Sequence, residues 1–311
     1  MNTSLPDLRP MDLGDILDKS FRLYRRHLRP LLTIAVIVGI PSLLLQGLAL
    51  IPYFNALMPF LDPEQLQNSQ ELFDDGGRAF LISFLPALCL LLGASVIVSF
   101  AAVIQAGAMV SACSHAILNK PFTVRDMYRQ SLARWRPQFG MIGLGVLAAI
   151  PAIILVIIPC IGALALIVLS ILGGVRLLFT EHTIMLENKG AIDSLKRSWA
   201  LTRNSFWRLF GILFVIALLL IIISAVPTYA VQISAMLLMP QQPLVASVLV
   251  SLVSGIVGIL ISAFTSMAYT HLYYDMRVRK EGLDLQMAMD RLAPIGTTDP
   301  AQPGPTEPSA E

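Results

Sequence analysis

The chain has 311 residues, of which 56% are hydrophobic and only 14% charged, with a mean hydropathy of +0.72. Water-soluble globular domains do not tolerate such proportions, so composition alone points to an integral membrane protein. The net charge of +2 conceals an asymmetry, because the basic residues gather in patches between apolar stretches.

Residues 1–12 read as a loose cytoplasmic lead. From Leu13 to Arg29, Leu13, Ile16, Leu17, Ser20, Tyr24 and Leu28 fall at steps of three and four, which predicts an amphipathic helix. Asp15 with Lys19 and Asp18 with Arg22 are favourable i,i+4 pairs on its wet side. Pro30 suits the first turn of the next helix. Span one, Leu31 to Phe54, is uncharged and exceeds the roughly 20 residues needed to cross a hydrocarbon core of about 30 Å. No cleavable signal peptide is expected, since the first thirty residues are charged and helical, and span one would act as an uncleaved anchor.

The acidic segment from Asn55 to Arg78 predicts an outer loop, with a short helix between Asp62-Pro63 and Gly76-Gly77. Span two runs from Phe80 to Ser111, and a basic loop with Lys120, Arg125, Arg129, Arg134 and Arg136 follows. The uncharged run between Arg136 and Arg176 is long enough for spans three and four, joined by a tight turn through Ile158-Pro159-Cys160-Ile161-Gly162. A second amphipathic helix covers Ala191 to Arg208. Span five, Leu209 to Gln232, and span six, Leu244 to His271, are joined through Pro240 and Pro243. Residues 293–311, rich in proline, read as a disordered cytoplasmic tail.

The second amphipathic stretch repeats the first. Leu195, Arg197, Ser198, Trp199, Leu201, Arg203 and Leu209 fall on Leu17, Lys19, Ser20, Phe21, Leu23, Arg25 and Leu31. Ser131, Leu132 and Phe139 form a looser third copy. The predicted fold is therefore an all-α polytopic membrane protein of six transmembrane helices, in three repeats of an amphipathic elbow helix plus a helical hairpin. The repeats cover about 13–118, 119–186 and 187–292 of a 13–292 membrane domain. Each ends near a histidine, His115, His182 or His271, followed by a turn at Asn119-Lys120, Asn188-Lys189-Gly190 or Lys280-Glu281-Gly282. With six spans, all of the 22 lysines and arginines except Arg78 fall on one side, which predicts cytoplasmic termini.

The three histidines would share one depth around a pseudo-threefold axis, where they could converge as imidazoles do at a metal. Helix capping or headgroup contact is the favoured alternative, because no carboxylate of fixed spacing accompanies them, although Glu181 and Asp275 lie close in sequence. Arg22, Arg25, Arg26, Arg197 and Arg203, with Trp199 and Trp207, are candidates for the membrane interface, where basic residues attract anionic lipid or a protein partner. Two small-residue stripes mark span six, one of Ser247, Ser251 and Gly255 and one of Ser254, Gly258, Ser262 and Ser266, and both read as helix packing. Pro41, Pro86, Pro151 and Pro227 could each kink a span. Cys89, Cys113 and Cys160 show no metal or redox spacing and read as small core residues.

No charged residue sits in the middle of a predicted span, which disfavours an ion-driven carrier. The chain also lacks GxxxxGK[ST], HExxH and GxSxG motifs and paired intramembrane aspartates, so no enzyme activity, cofactor or nucleic-acid partner is expected.

The stretches LGDILDKSFRLYRRH (Leu13 to His27), EHTIMLENKGAIDSLKRSWALTRNSFWRLFGI (Glu181 to Ile212) and HLYYDMRVRKEGLDLQMA (His271 to Ala288) resemble a bacterial family. It is the membrane domain associated with glycerophosphoryl diester phosphodiesterases, which also occurs as stand-alone proteins. The resemblance spans nearly all of residues 11–290 and implies a bacterial inner-membrane location and a link to lipid or envelope metabolism. It does not imply phosphodiesterase activity, because the soluble catalytic barrel has no counterpart here. The expected role is a non-enzymatic scaffold or accessory protein, with a permease or lipid-handling protein as the alternative and a metal-dependent enzyme third.

Overall fold

The computed structural model describes residues 10–57, 78–156, 161–238, 241–283, 286 and 289. Among these residues there are helices and no strands. In chain order the helices are α1 (Leu13–Arg26), α2 (Leu28–Leu57), α3 (Arg78–Ile117), α4 (Val124–Ala133), α5 (Trp135–Val156), α6 (Ile161–Leu177), α7 (Thr180–Leu186), α8 (Ala191–Thr202), α9 (Phe206–Leu238) and α10 (Pro243–Glu281). Residues 1–9 of the lead, the outer segment around Asp62-Pro63 and Gly76-Gly77, the turn at Ile158-Pro159-Cys160, Pro240 and the tail 293–311 lie outside the described residues.

Local chemistry sets the helix ends. The Asp15 carboxylate accepts the Asp12 N–H (3.3 Å) at the start of α1, and Thr123 Oγ1 accepts the Asp126 N–H (3.3 Å) at the start of α4, each satisfying an orphan donor. The turns after α3, α7, α8 and α10 pass through left-handed residues, Asn119 (φ 52°), Asn188 (φ 58°), Asn204 (φ 62°) and Gly282 (φ 60°). Asparagine and glycine are the residue types that adopt this conformation most readily. Pro41, Pro86, Pro151 and Pro227 lie within continuous helices.

Several boundaries differ from the sequence reading: spans one, two and five run longer, as Leu28–Leu57, Arg78–Ile117 and Phe206–Leu238. The first elbow stops at Arg26 and the second at Thr202, because the chain turns at His27 and at Arg203–Ser205 before each long helix begins. The last helix does not end at His271 but runs on to Glu281. Hydropathy falls there because charges appear, yet Asp275 with Arg279 and Arg277 with Glu281 sit four residues apart and pair along the helix at 3.0 Å.

α2 packs against α3 and α10, and α10 packs also against α9 and α1. The large buried side chains gather where the elbows meet the long helices: Met11 and Ile16, Leu31 and Ile34, Met109, Phe179, Leu209 and Ile216, and Tyr273. Away from that end the long helices bare their apolar side chains, as with Ile82 (71% exposed) and Leu237 (74%). Five helical segments, 28–57, 81–117, 162–186, 206–238 and 245–281, are long and apolar enough to cross a membrane, and at most 17% of any of their most apolar windows is buried by protein. Such continuous apolar surface is untenable in water and suits helices whose solvent is lipid.

Candidate functional site

The elbow end holds two charged knots. In the first, Glu187 follows α7 and receives Arg197 Nε from α8 on both oxygens (3.1 and 2.9 Å) and the Tyr273 hydroxyl from α10 (2.7 Å). Lys189 Nζ lies 3.3 Å from the same carboxylate. Arg197 also pairs with Glu281, which takes Arg277 Nε at 3.0 Å. Burial alone would raise the Glu187 carboxyl; hydrogen bonds from Arg197 and Tyr273, with the Arg197 charge, hold it below the usual glutamate range instead.

A carboxylate held low contributes stability that is present above its unfolded pKa, about 4.3, and lost as pH falls through the folded value. The protein is therefore expected to melt higher than a Glu187→Gln variant at pH 7, with the gap closing below about pH 4. Thermal melts of both in detergent from pH 7 to 3 check this, and a gap that persists in acid contradicts it.

In the second knot, Asp275 is fully buried. Its Oδ1 accepts the Met11 N–H (2.8 Å) and Arg279 Nε (3.0 Å), and its Oδ2 lies 2.8 Å from Arg208 Nη1 of α9. Both arginines also donate to the Met11 carbonyl at 2.9 Å. The clamp thus reads both polar groups of one peptide residue, and the Met11 side chain enters the core. Met11, expected in a loose lead, is a tied-down and buried residue, because charges some 200 residues and more away in sequence close on its backbone.

The serines aligned in the three elbows, Ser20, Ser131 and Ser198, are all fully buried. Ser131 Oγ donates to Ile104 O of α3 (2.7 Å) and Ser198 Oγ to Arg176 O of α6 (2.7 Å). Ser20 Oγ lies 3.0 Å from His271 Nδ1 of α10. Each elbow serine therefore docks on another helix, the first elbow on the last one.

The histidines have separate partners. His115 Nδ1 is 2.9 Å from Ser111 O, one turn back. His271 Nδ1 is 3.0 Å from Met267 O, which can only accept, so this nitrogen carries the proton. His182 stacks on Tyr273 (5.3 Å, 26° between planes), with Nε2 3.3 Å from Thr270 Oγ1. Among the described residues no group of three or more His, Cys, Asp or Glu side chains could hold a metal ion. His115, His182 and His271 do not converge: two bond the preceding turn of their own helix and the third packs on an aromatic ring.

The interface candidates divide. Trp207 is 79% exposed and Trp199 54%, the latter with the Arg176 guanidinium 4.8 Å over its ring. Arg22, Arg25, Arg26 and Arg203 are exposed. Arg22 makes a loose pair with Asp18 (3.5 Å), and Arg25 lies 5.8 Å from the Phe21 ring centroid. Arg197 departs from this group, because Glu187 and Glu281 draw it inward.

The two stripes of α10 also separate. Gly255 is covered by Leu43 of α2, and Gly39 of α2 by Ile259 of α10, so close approach falls on the stripe of Ser247, Ser251 and Gly255. On the other stripe, a side chain added at Gly258 would meet nothing within 4 Å. Ser254, Gly258 and Ser262, with Ser251 and Gly255 of the first stripe, line a cavity of about 510 Å³ between α2, α3 and α10, while the Ser266 carbonyl accepts Thr270 Oγ1 (2.7 Å).

Long apolar helices, basic and aromatic elbows and charge pairing that, among the described residues, is confined to one end are together consistent with a multi-pass helical membrane protein. The comparisons add one likeness: residues 133–273, from the end of α4 into α10, are similar to a domain of unknown function (DUF7847). No curated protein and no solved structure matches the chain.

The sequence pattern does not single out Glu187, Arg208 or Met11, and it marks Asp275 only as a neighbour of His271. The i,i+4 spacing of Asp275 with Arg279 is a usable signal for that site. Nothing local marks Met11, whose partners come from α9 and α10; Glu187 has Lys189 and Arg197 close in sequence, but Tyr273 reaches it from 86 residues away.

Proposed function

We propose that the protein is a non-enzymatic scaffold or accessory protein of a bacterial inner membrane, linked to envelope lipid metabolism, whose basic elbow end rests on anionic lipid. The observation that carries this reading is the gathering of exposed arginines and aromatics, Arg22, Arg25, Arg26, Phe21, Trp199 and Trp207, at the end where the elbows meet the long helices. Arginine attracts anionic headgroups while tryptophan settles at the interface.

Six spans with both termini cytoplasmic complete the proposal. The sixth is α5, whose 22 residues extend about 33 Å and carry no charge after Arg136. Orientation is supported by the placing of every lysine and arginine but Arg78 on one side. Threefold repetition is supported by the three buried elbow serines and by left-handed residues at the three matching turns, Asn119, Asn188 and Gly282. The resemblance to the phosphodiesterase-associated membrane domain supports the lipid link, and the lack of a catalytic motif supports a non-enzymatic role.

Each basic residue near an anionic surface contributes on the order of 1 kcal/mol. Lipids retained on protein extracted from native membrane are therefore expected to be enriched in anionic species, and joint replacement of Arg22, Arg25 and Arg26 by glutamine to reduce that enrichment at least about tenfold. A scaffold should lose a stoichiometric protein partner with the same change. Unaltered lipid and protein content would contradict the reading. Arg197 is kept out of this test, since its loss would break the Glu187 knot. A permease or lipid-handling role is the second reading, favoured by the cavity between α2, α3 and α10.

A further inference from the structure

The cavity lies within the apolar segments 28–57, 81–117 and 245–281, and among the described residues no charged side chain lines it. Its volume, about 510 Å³, is in the range of small-molecule sites. The packed contacts of Leu43 with Gly255 and Ile259 with Gly39 bring α2 and α10 together beside it, while Gly258 leaves its own part of the wall open.

Its polar atoms are unevenly used. Ser251, Ser254 and Ser262 each donate their one hydroxyl proton to a carbonyl of α10, at 2.8, 3.0 and 2.8 Å, so toward any ligand they can only accept. Gln46 gives its amide to Ser95 Oγ (3.1 Å), which leaves its carbonyl oxygen as a further acceptor. Gln105 of α3 also lines the cavity, and among the described residues its amide makes no hydrogen bond. An unpaired amide at membrane depth is costly, with no bulk water to satisfy it. The wall therefore offers several acceptors, the Gln105 amide, the Ser42 hydroxyl and no charge, against otherwise apolar surface.

We propose that this cavity binds an uncharged membrane amphiphile, a long-chain lipid whose small headgroup bears free hydroxyls. The hydroxyls donate to the serine oxygens and pair with the Gln105 amide, and the chain lies along the apolar wall. A phosphate group finds no counter-charge there, so charged phospholipid is excluded from the headgroup position. The proposal rests only on the membrane-spanning reading of α2, α3 and α10, and it concerns a site apart from the basic elbows.

The test is titration of the detergent-purified full chain with monooleoylglycerol, which bears two free hydroxyls, read by native mass spectrometry, with dioleoylphosphatidylglycerol as competitor. Saturable binding of one monooleoylglycerol that the phospholipid does not displace is expected. Gly258→Leu fills the open wall and should abolish binding. Gln105→Leu removes one hydrogen-bonding group and should weaken it about tenfold. Gly93→Leu, on α3 outside the cavity with open space around it, should bind as the unaltered protein does. If Gly258→Leu fails to fold, the Gln105→Leu affinity decides. Non-saturable binding, equal displacement by the phospholipid, or unchanged affinity in Gln105→Leu overturns the proposal. Because the probe is uncharged and the variants are intramembrane, failure here leaves the anionic-lipid test at Arg22, Arg25 and Arg26 unaffected.

Discussion

Replacement of Asp275 by alanine is expected to destabilise the protein by about 3 kcal/mol, more than the loss of an exposed charged residue such as Asp18. Asp275 is fully buried and meets two guanidiniums and one backbone N–H. Removing it strands the Met11 N–H and leaves Arg208 and Arg279 facing each other across the Met11 carbonyl. Breaking a buried pair by deleting one partner costs about 3–5 kcal/mol. The lower end applies because the two arginine side chains remain 31% and 34% exposed, where solvent screens the charge left behind. Asp275→Asn, which keeps an acceptor for Met11 without the charge, should fall between. Asp18→Ala removes only a 3.5 Å pair between side chains 75% and 71% exposed, and should stay within about 0.5 kcal/mol. Chemical or thermal unfolding of the three variants in one detergent reads the order; equal effects of Asp275→Ala and Asp18→Ala would refute the clamp.

The second large effect is expected at the contact of α2 with α10. A Cβ at Gly255 would lie 1.9 Å from Leu43 Cδ2, 2.8 Å from Cδ1 and 2.9 Å from Cγ, so the whole leucine side chain must move. Overpacking of this kind costs about 1–3 kcal/mol. In a Leu43→Ala background the obstruction is gone, and Gly255→Ala should become neutral or stabilising, since alanine favours a helix over glycine by about 1 kcal/mol. The sign change is the diagnostic feature, because a generic loss of stability would be additive. Gly258→Ala, with nothing within 4 Å, should be harmless in either background.

These contrasts show where sequence reasoning reaches and where it stops. Apolar runs locate α2, α3, α9 and α10, since lipid-facing helices must be apolar along their length whatever they pack against. The elbows α1 and α8 are visible as amphipathic, basic repeats, and the turns at Asn119, Asn188 and Gly282 through residue types suited to left-handed backbone. The end of α10 is hidden, because charges that pair at i,i+4 lower hydropathy without ending a helix. The two stripes of small residues look alike in sequence, and both line the cavity; that Gly255 of one seats Leu43 while Gly258 of the other stands open depends on how α2 is turned, a tertiary property. Arg197 and Arg203 are likewise equivalent by pattern, yet only Arg197 has Glu187 and Glu281 within reach. The histidines recur at similar places in the repeats, but recurrence says nothing of which neighbours reach each ring.

The most direct test of the six-span architecture is the side of the membrane on which its loops lie. In a background with Cys89, Cys113 and Cys160 replaced by serine, Lys120→Cys, Lys196→Cys and Gln242→Cys would be exposed singly to an impermeant thiol reagent on intact cells. Six spans with the basic end inside predict immediate labelling at position 242 alone, and labelling at 120 and 196 only after the membrane is permeabilised. Labelling of 196 in intact cells with 120 still protected would mean that α5 does not cross, and would contradict the three-unit architecture.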